Sequence, residues 1–150
     1  MGNIFNPDFR DFLLALSLCN VSYLLVGGYA VILHGRERTT GDMDVWVKPT
    51  EENFKRLMQA FQTFGLPPVI PIEAFLNPDE ADVFSFGRSP VAIDIMTQVK
   101  GLNFDECFGQ SVFFEDEELK VRTINMHHLL TAKRAAGRHK DLDDIEHLEP

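Results

Sequence analysis

The chain has 150 residues and a net charge of −9, the size of one domain, expected to span 1–150. Acids outnumber bases 23 to 14, which argues against the basic face needed to grip a long polynucleotide. No apolar run approaches the ~20 residues of a membrane helix, the N-terminus lacks the pattern of a signal peptide, and Cys19 and Cys107 are too few for a disulfide framework. A soluble, cytoplasmic protein with no membrane partner is expected.

In chain order, Asn6-Pro7-Asp8 reads as an N-cap, a proline at the first helical position and a first-turn acid. Phe9, Phe12, Leu13 and Leu16 then recur at helical spacing, predicting a helix over 7–19. Tyr23 to Val26 is a short apolar strand ended by Gly27-Gly28, and Ala30 to His34 a short helix stopped by Gly35. Residues 44–48 form a second strand. Thr50 caps a third helix with Glu51 and Glu52 in its first turn, an apolar stripe from Phe54 to Phe64, and Gly65 as its close.

Leu66 to Pro78 reads as loop with one turn of helix. Asp82 to Phe86 and Val91 to Thr97 read as a hairpin about Gly87-Arg88-Ser89-Pro90. Val112 to Phe114 and Leu119 to Thr123 are short strands about an acidic turn, with Glu115 to Glu118 in solvent. Asn125 caps a helix through Ala136, Gly137 breaks it, and a last helix runs from about Lys140 to Leu148. Strands and helices mix without regular alternation, so the fold class is α+β, a mixed β-sheet flanked by helices.

The stretch GDMDVWV, residues 41–47, carries the chemistry. Residues two apart in a strand share a face, so Asp42 and Asp44 aim together at one region. Held there, two like charges call for a cation or a proton. Asp94 is flanked by Ile93 and Ile95, and a charge so placed is seldom left unpaired. If its strand lies beside the first, three carboxylates converge, a donor set suited to Mg²⁺ or Mn²⁺ with substrate phosphates completing the shell. Gly27-Gly28 offers backbone N–H groups to an anion, though it is neither G-x-x-x-x-G-K nor G-x-G-x-x-G and equally describes a tight turn.

Taken together, LLVGGYAVILHGRERTTGDMDVWV, residues 24–47, resembles the signature of the nucleotidyltransferase superfamily with the DNA polymerase β-like (palm) fold. That signature is an apolar strand, Gly-Gly or Gly-Ser, an intervening stretch and Asp-x-Asp in a second strand. Arg38 and Thr39-Thr40 precede the acids here. LLTAKRAAGRHKDLDDIEHL, residues 129–148, is similar to the Lys-containing helix and Arg-x-Lys-Asp motif of the single-domain toxin-like (AbiEii-like) branch, with Lys133, Arg138, Lys140 and Asp141 at the matching positions.

The resemblance implies Mg²⁺-dependent transfer of a nucleoside monophosphate from an NTP to an acceptor hydroxyl, with release of pyrophosphate. Asp42, Asp44 and Asp94 would be metal ligands, and Asp94 would also help deprotonate the acceptor. Gly27, Gly28 and Arg38 would bind phosphates, while Lys133 and Lys140 would offset charge on the leaving group. One departure stands out: Gly28 occupies a position where many members carry Ser, removing a hydroxyl that can bind the triphosphate.

The alternative reading is a nucleotide-binding or regulatory module that has lost turnover, as in a toxin–antitoxin pair. The acceptor is open among small molecules, proteins and tRNA. A small catalytic domain leaves its acceptor exposed to water, so a homodimer or a partner protein is expected to cover it.

Other features have plainer readings. Lys133 and Lys140 are expected to carry little stability as helix-surface lysines. His139, Asp143 and His147 share a helix face that could ligate a transition metal but reads first as wet surface. His127-His128 is assigned to helix surface with no role.

Overall fold

The computed structural model describes residues 4–66, 70–88 and 91–149. Its elements are α1 (Pro7–Leu18), β1 (Tyr23–Val26), α2 (Gly27–Leu33), β2 (Met43–Val47), α3 (Glu51–Phe64), α4 (Ile72–Phe75), β3 (Val83–Phe86), β4 (Ile93–Met96), α5 (Phe104–Gly109), β5 (Val112–Asp116), β6 (Leu119–Thr123), α6 (Met126–Ala136) and α7 (His139–Leu148). The strands form one six-stranded sheet in the order β3-β4-β2-β1-β6-β5. Pairs β1–β2, β3–β4 and β5–β6 are antiparallel, while β2–β4 and β1–β6 are parallel. The α+β class with a mixed sheet is therefore what the chain adopts.

The caps read from the sequence act as capping chemistry requires. Asn6, Thr50 and Asn125 side chains accept from the backbone N–H groups of Phe9, Asn53 and His128, each three residues on. Gly65 and Gly137 take left-handed conformations as C-caps, with φ of 96° and 64°.

Strand alternation divides the core into two layers. Leu25, Met43, Val45, Val47, Ile93 and Ile95 face α1 and α3. There Phe12 and Phe61 are fully buried with ring centroids 5.2 Å apart. Leu24, Val26 and Trp46 face the other way, against Ala30, Val31, Phe104, Ile124 and Leu129. Each fully buried Phe or Leu contributes roughly 1.5–3 kcal/mol relative to exposure, so both faces of the sheet are covered by substantial apolar packing. Asp44, two residues before Trp46, shares the second face; so does Asp94, two before Met96.

Several expectations need correction. The second helix begins at Gly27 rather than Ala30, because the Gly pair is its first turn. The second strand starts at Met43 and the last helix at His139, each one residue earlier than expected. Helix α5 was not anticipated; its six residues are too few to display periodicity, although Asn103 caps it by accepting from Glu106 N–H at 3.1 Å. Val91 precedes β4 and is exposed, so only Ile93 and Ile95 of the expected apolar face are buried.

The acidic turn is not wholly in solvent. Asp116 is fully buried and accepts from Arg10 of α1 at 2.8 Å, pinning the β5–β6 hairpin to that helix. His128 is buried rather than on the surface, its Nε2 4.0 Å from Glu106. The single turn expected in the 66–78 loop is α4. The expected 82–97 hairpin pairs as β3–β4, but Ser89 and Pro90 of its turn lie outside the described residues.

Candidate active site

Parallel pairing of β2 with β4 sets Asp44 opposite Asp94 in register. The two carboxyls thus lie side by side. The Asp44 carboxyl is pushed up to about 6 from 3.8, first by burial, then by its interaction with Asp94, with Lys133 opposing. Asp94 also accepts from Ser85 Oγ at 2.6 Å. Ser85 sits opposite Asp94 in the β3–β4 register, so the hairpin pattern alone could have pointed to it.

Asp42 lies just before β2, and its Oδ1 accepts from Ala92 N–H at 2.9 Å. One of its oxygens thus ties the entry of β2 to the start of β4. Asp42, Asp44 and Asp94 all line one cavity of about 470 Å³, with Gly27, Gly28, Arg38, Thr40, Gly41, Lys133, Arg138 and Lys140. Every expected site residue therefore reaches the same cavity.

The glycines are there for close approach. Gly27 has a φ of +69°, and a Cβ on it would come within 2.1 Å of Asp44 Oδ2. No side chain can be accommodated without displacing that carboxylate. At Gly28 a Cβ would fall 2.3 Å from Thr40 Oγ1 and 3.0 Å from Thr40 Cβ. Helix α2 has only seven residues, so the pair contributes backbone proximity more than a helix dipole.

On the far wall the cations are held by acids. Lys133 is buried, with Nζ 3.1 Å from Asp141 Oδ1 and 3.1 Å from Asp144 Oδ2. This corrects the surface-lysine expectation. Arg38 Nη1 donates to both oxygens of Asp144, at 2.8 and 2.7 Å, and Arg36 also pairs with Asp144. Arg138 Nε donates to Asp141 at 2.6 Å. Asp141 and Asp144 are fully buried. Burial alone would raise both, but Arg138 and Lys133 at Asp141, and Lys133 and Arg38 at Asp144, more than offset it and leave both below the usual carboxylate range.

The sequence does not point to Asp144, since nothing in the run of acids in α7 marks which positions are buried. Lys140 is exposed at the cavity rim with no ion pair among the described residues.

Among the described residues, no three His, Cys, Asp or Glu side chains are already gathered as a metal-ligand group. The donor chemistry nonetheless fits a hard divalent cation. Two carboxyls stand side by side on paired strands, and one holds its proton above its ordinary range, a proton that a cation would replace. His139, Asp143 and His147 do not form a metal centre; Asp143 is engaged by Arg36 and by His147.

This sheet, with paired acids on adjacent strands beneath a Gly-Gly turn, has the nucleotidyltransferase fold. Among the solved structures similar to it are the following two. The lincomycin-bound lincosamide antibiotic adenylyltransferase LnuA aligns at a TM-score of 0.63 and 16% identity, over 98% of this chain and 98% of its own. A Thermotoga maritima protein described as a nucleotidyltransferase aligns at a TM-score of 0.58 and 12% identity, over 92% of this chain and 88% of that one. Neither a family model nor a curated protein sequence matches the chain. Among the described residues, no helix is long and apolar enough to cross a membrane.

Proposed function

We propose that the protein is a Mg²⁺-dependent nucleotidyltransferase that moves a nucleoside monophosphate from an NTP to the hydroxyl of a small-molecule acceptor. The single observation that carries this is the shared cavity, lined by Asp42, Asp44 and Asp94 together with Arg38, Lys133, Arg138, Lys140, Gly27 and Gly28. A metal-bound triphosphate needs both: carboxylates for the ion, cations for the phosphates.

In the reaction the acceptor oxygen bonds to the α-phosphorus, the bond to the bridging oxygen breaks, and pyrophosphate leaves. Bound Mg²⁺ would supply charge neutralisation at the phosphates. Asp42, Asp44 and Asp94 would hold it, and Asp94, fixed by Ser85, would take the acceptor proton. Gly27 makes room for the Asp44 carboxylate and Gly28 for the Thr40 hydroxyl, bringing both against the backbone beside the phosphate site. Lys140, exposed and unpaired among the described residues, is free to meet the leaving pyrophosphate. Lys133 acts through a fixed positive field, because Asp141 and Asp144 hold its ammonium in place.

The small-molecule acceptor is inferred from the near full-length alignment with an enzyme named for modifying an antibiotic. The net charge of −9 favours a cationic acceptor over tRNA. The motif likeness to the toxin-like branch leaves a protein hydroxyl as the competing acceptor, and a second copy or partner chain as cover for the open side of the cavity.

The test is label transfer. With Mg²⁺ and each α-labelled NTP in turn, pyrophosphate should be released and label should appear on lincomycin or a related hydroxyl compound, but not in Asp44→Asn. Label that moves to protein or tRNA instead refutes the small-molecule class. Absence of pyrophosphate release with every NTP and acceptor refutes the transferase reading.

A further inference from the structure

The Gly28 departure leads to a replacement hydroxyl. Thr40 is half-buried in the wall of the cavity, and its hydroxyl makes no hydrogen bond among the described residues. A hydroxyl with both donor and acceptor capacity, unused beside carboxylates and guanidinium groups, is available to a ligand. Its position is what matters: a Cβ built on Gly28 lands 2.3 Å from Thr40 Oγ1. The Thr40 hydroxyl therefore already occupies the point from which a side chain at 28 would begin.

Arg38 adds a second donor at the same place. Its Nε is taken by the Thr39 carbonyl and its Nη1 by Asp144. Its Nη2 lies 3.6 Å from the same Gly28 Cβ position and makes no hydrogen bond among the described residues. The Asp144 pairing holds the guanidinium still, so that Nη2 is presented without further ordering.

We infer that Thr40 Oγ1 and Arg38 Nη2 form a two-donor clamp over Gly28 for a non-bridging oxygen of the triphosphate. Thr40 is thus a binding residue of the site, and Gly28 is glycine because Thr40 stands where its side chain would go. On this account, glycine at 28 is not a loss of function; the hydroxyl is delivered from the loop before β2 instead of from α2. The inference rests on the transferase reading for the identity of the anion.

Inorganic tripolyphosphate with Mg²⁺ is the probe, because it removes the unknown base from the measurement; calorimetry reads its affinity. Thr40→Val keeps the shape and deletes the hydroxyl, and should weaken binding about tenfold or more, as expected for one hydrogen bond to a charged group. Thr40→Ser should restore it. Gly28→Ser should lower both affinity and melting temperature in the parent, and should recover both when combined with Thr40→Ala, which removes the 2.3 Å contact. If the parent binds tripolyphosphate and Thr40→Val binds equally well, the clamp is wrong while the transferase reading stands. If Gly28→Ser is no better tolerated beside Thr40→Ala, the steric exchange is wrong. A parent that binds neither tripolyphosphate nor any NTP overturns both.

Discussion

The cavity has two walls built from the same residue type under opposite electrostatic conditions. On the sheet side, Asp44 is buried against Asp94 and its carboxyl is pushed up to about 6. On the α6–α7 side, Asp141 and Asp144 are buried too, yet both are held below the usual range by Lys133, Arg138 and Arg38. Burial pushes all three upward, so the partner decides the outcome. The difference separates scaffold from site. Acids that are fully compensated dock a helix; acids left with each other are those we propose take up a cation.

The largest expected effect breaks the compensated wall. Asp144→Ala leaves Arg38 without its ion-pair partner and Lys133 with Asp141 alone, and should cost about 3–5 kcal/mol of stability. Urea unfolding at neutral pH checks this; a loss under about 1 kcal/mol would mean the two walls do not differ as described.

The opposite sign is expected on the sheet wall. Asp44→Asn removes a carboxylate that burial and Asp94 both oppose, and should raise metal-free stability at pH 7 by on the order of 2 kcal/mol while abolishing transfer. Because its folded value lies near 6 rather than 3.8, its contribution to stability is complete below about pH 4 and is lost as pH rises through about 6. Parent stability should therefore fall across that window, and Asp44→Asn should flatten the profile. Asp141 and Asp144 behave inversely: their contribution is present above the ordinary carboxylate range and is lost as pH falls below it, through their depressed folded values. Melting curves from pH 3 to 8 separate the two arms.

Metal affinity sharpens the same comparison. Mg²⁺ or Mn²⁺ has to displace the Asp44 proton, so binding should strengthen as pH rises through about 6. Asp44→Asn and Asp94→Asn should each weaken it at least tenfold. Calorimetric titrations in which both variants bind like the parent would remove the metal from the sheet wall.

The smallest stability effect belongs to the rim. Lys140→Ala should change stability by less than about 0.5 kcal/mol and still weaken tripolyphosphate binding several-fold. Lys133→Ala should cost several kcal/mol, because it takes one cation from each of two buried acids, Asp141 and Asp144. Equal stability losses in the two lysine variants would erase the distinction between a buried strut and a free phosphate contact.

Residue spacing by itself determined the local elements and the motif. Helical periodicity and caps at Asn6, Thr50 and Asn125 specify α1, α3 and α6, since these signals act within a few residues of chain. The Gly-Gly turn, the paired acids and Asp94 were legible because strand alternation aims side chains predictably. Only the tertiary structure decided which charges meet. Arg10 finds Asp116 and Arg38 finds Asp144 across more than 100 residues, and Lys133 is buried only because α7 folds back on α6. Pairings of that kind depend on how elements pack, and no local pattern encodes which acid in a run of acids will face inward. The contact between Thr40 and Gly28 is of the same order: eleven residues of chain separate them, and only the course of that chain between α2 and β2 brings the hydroxyl onto the glycine.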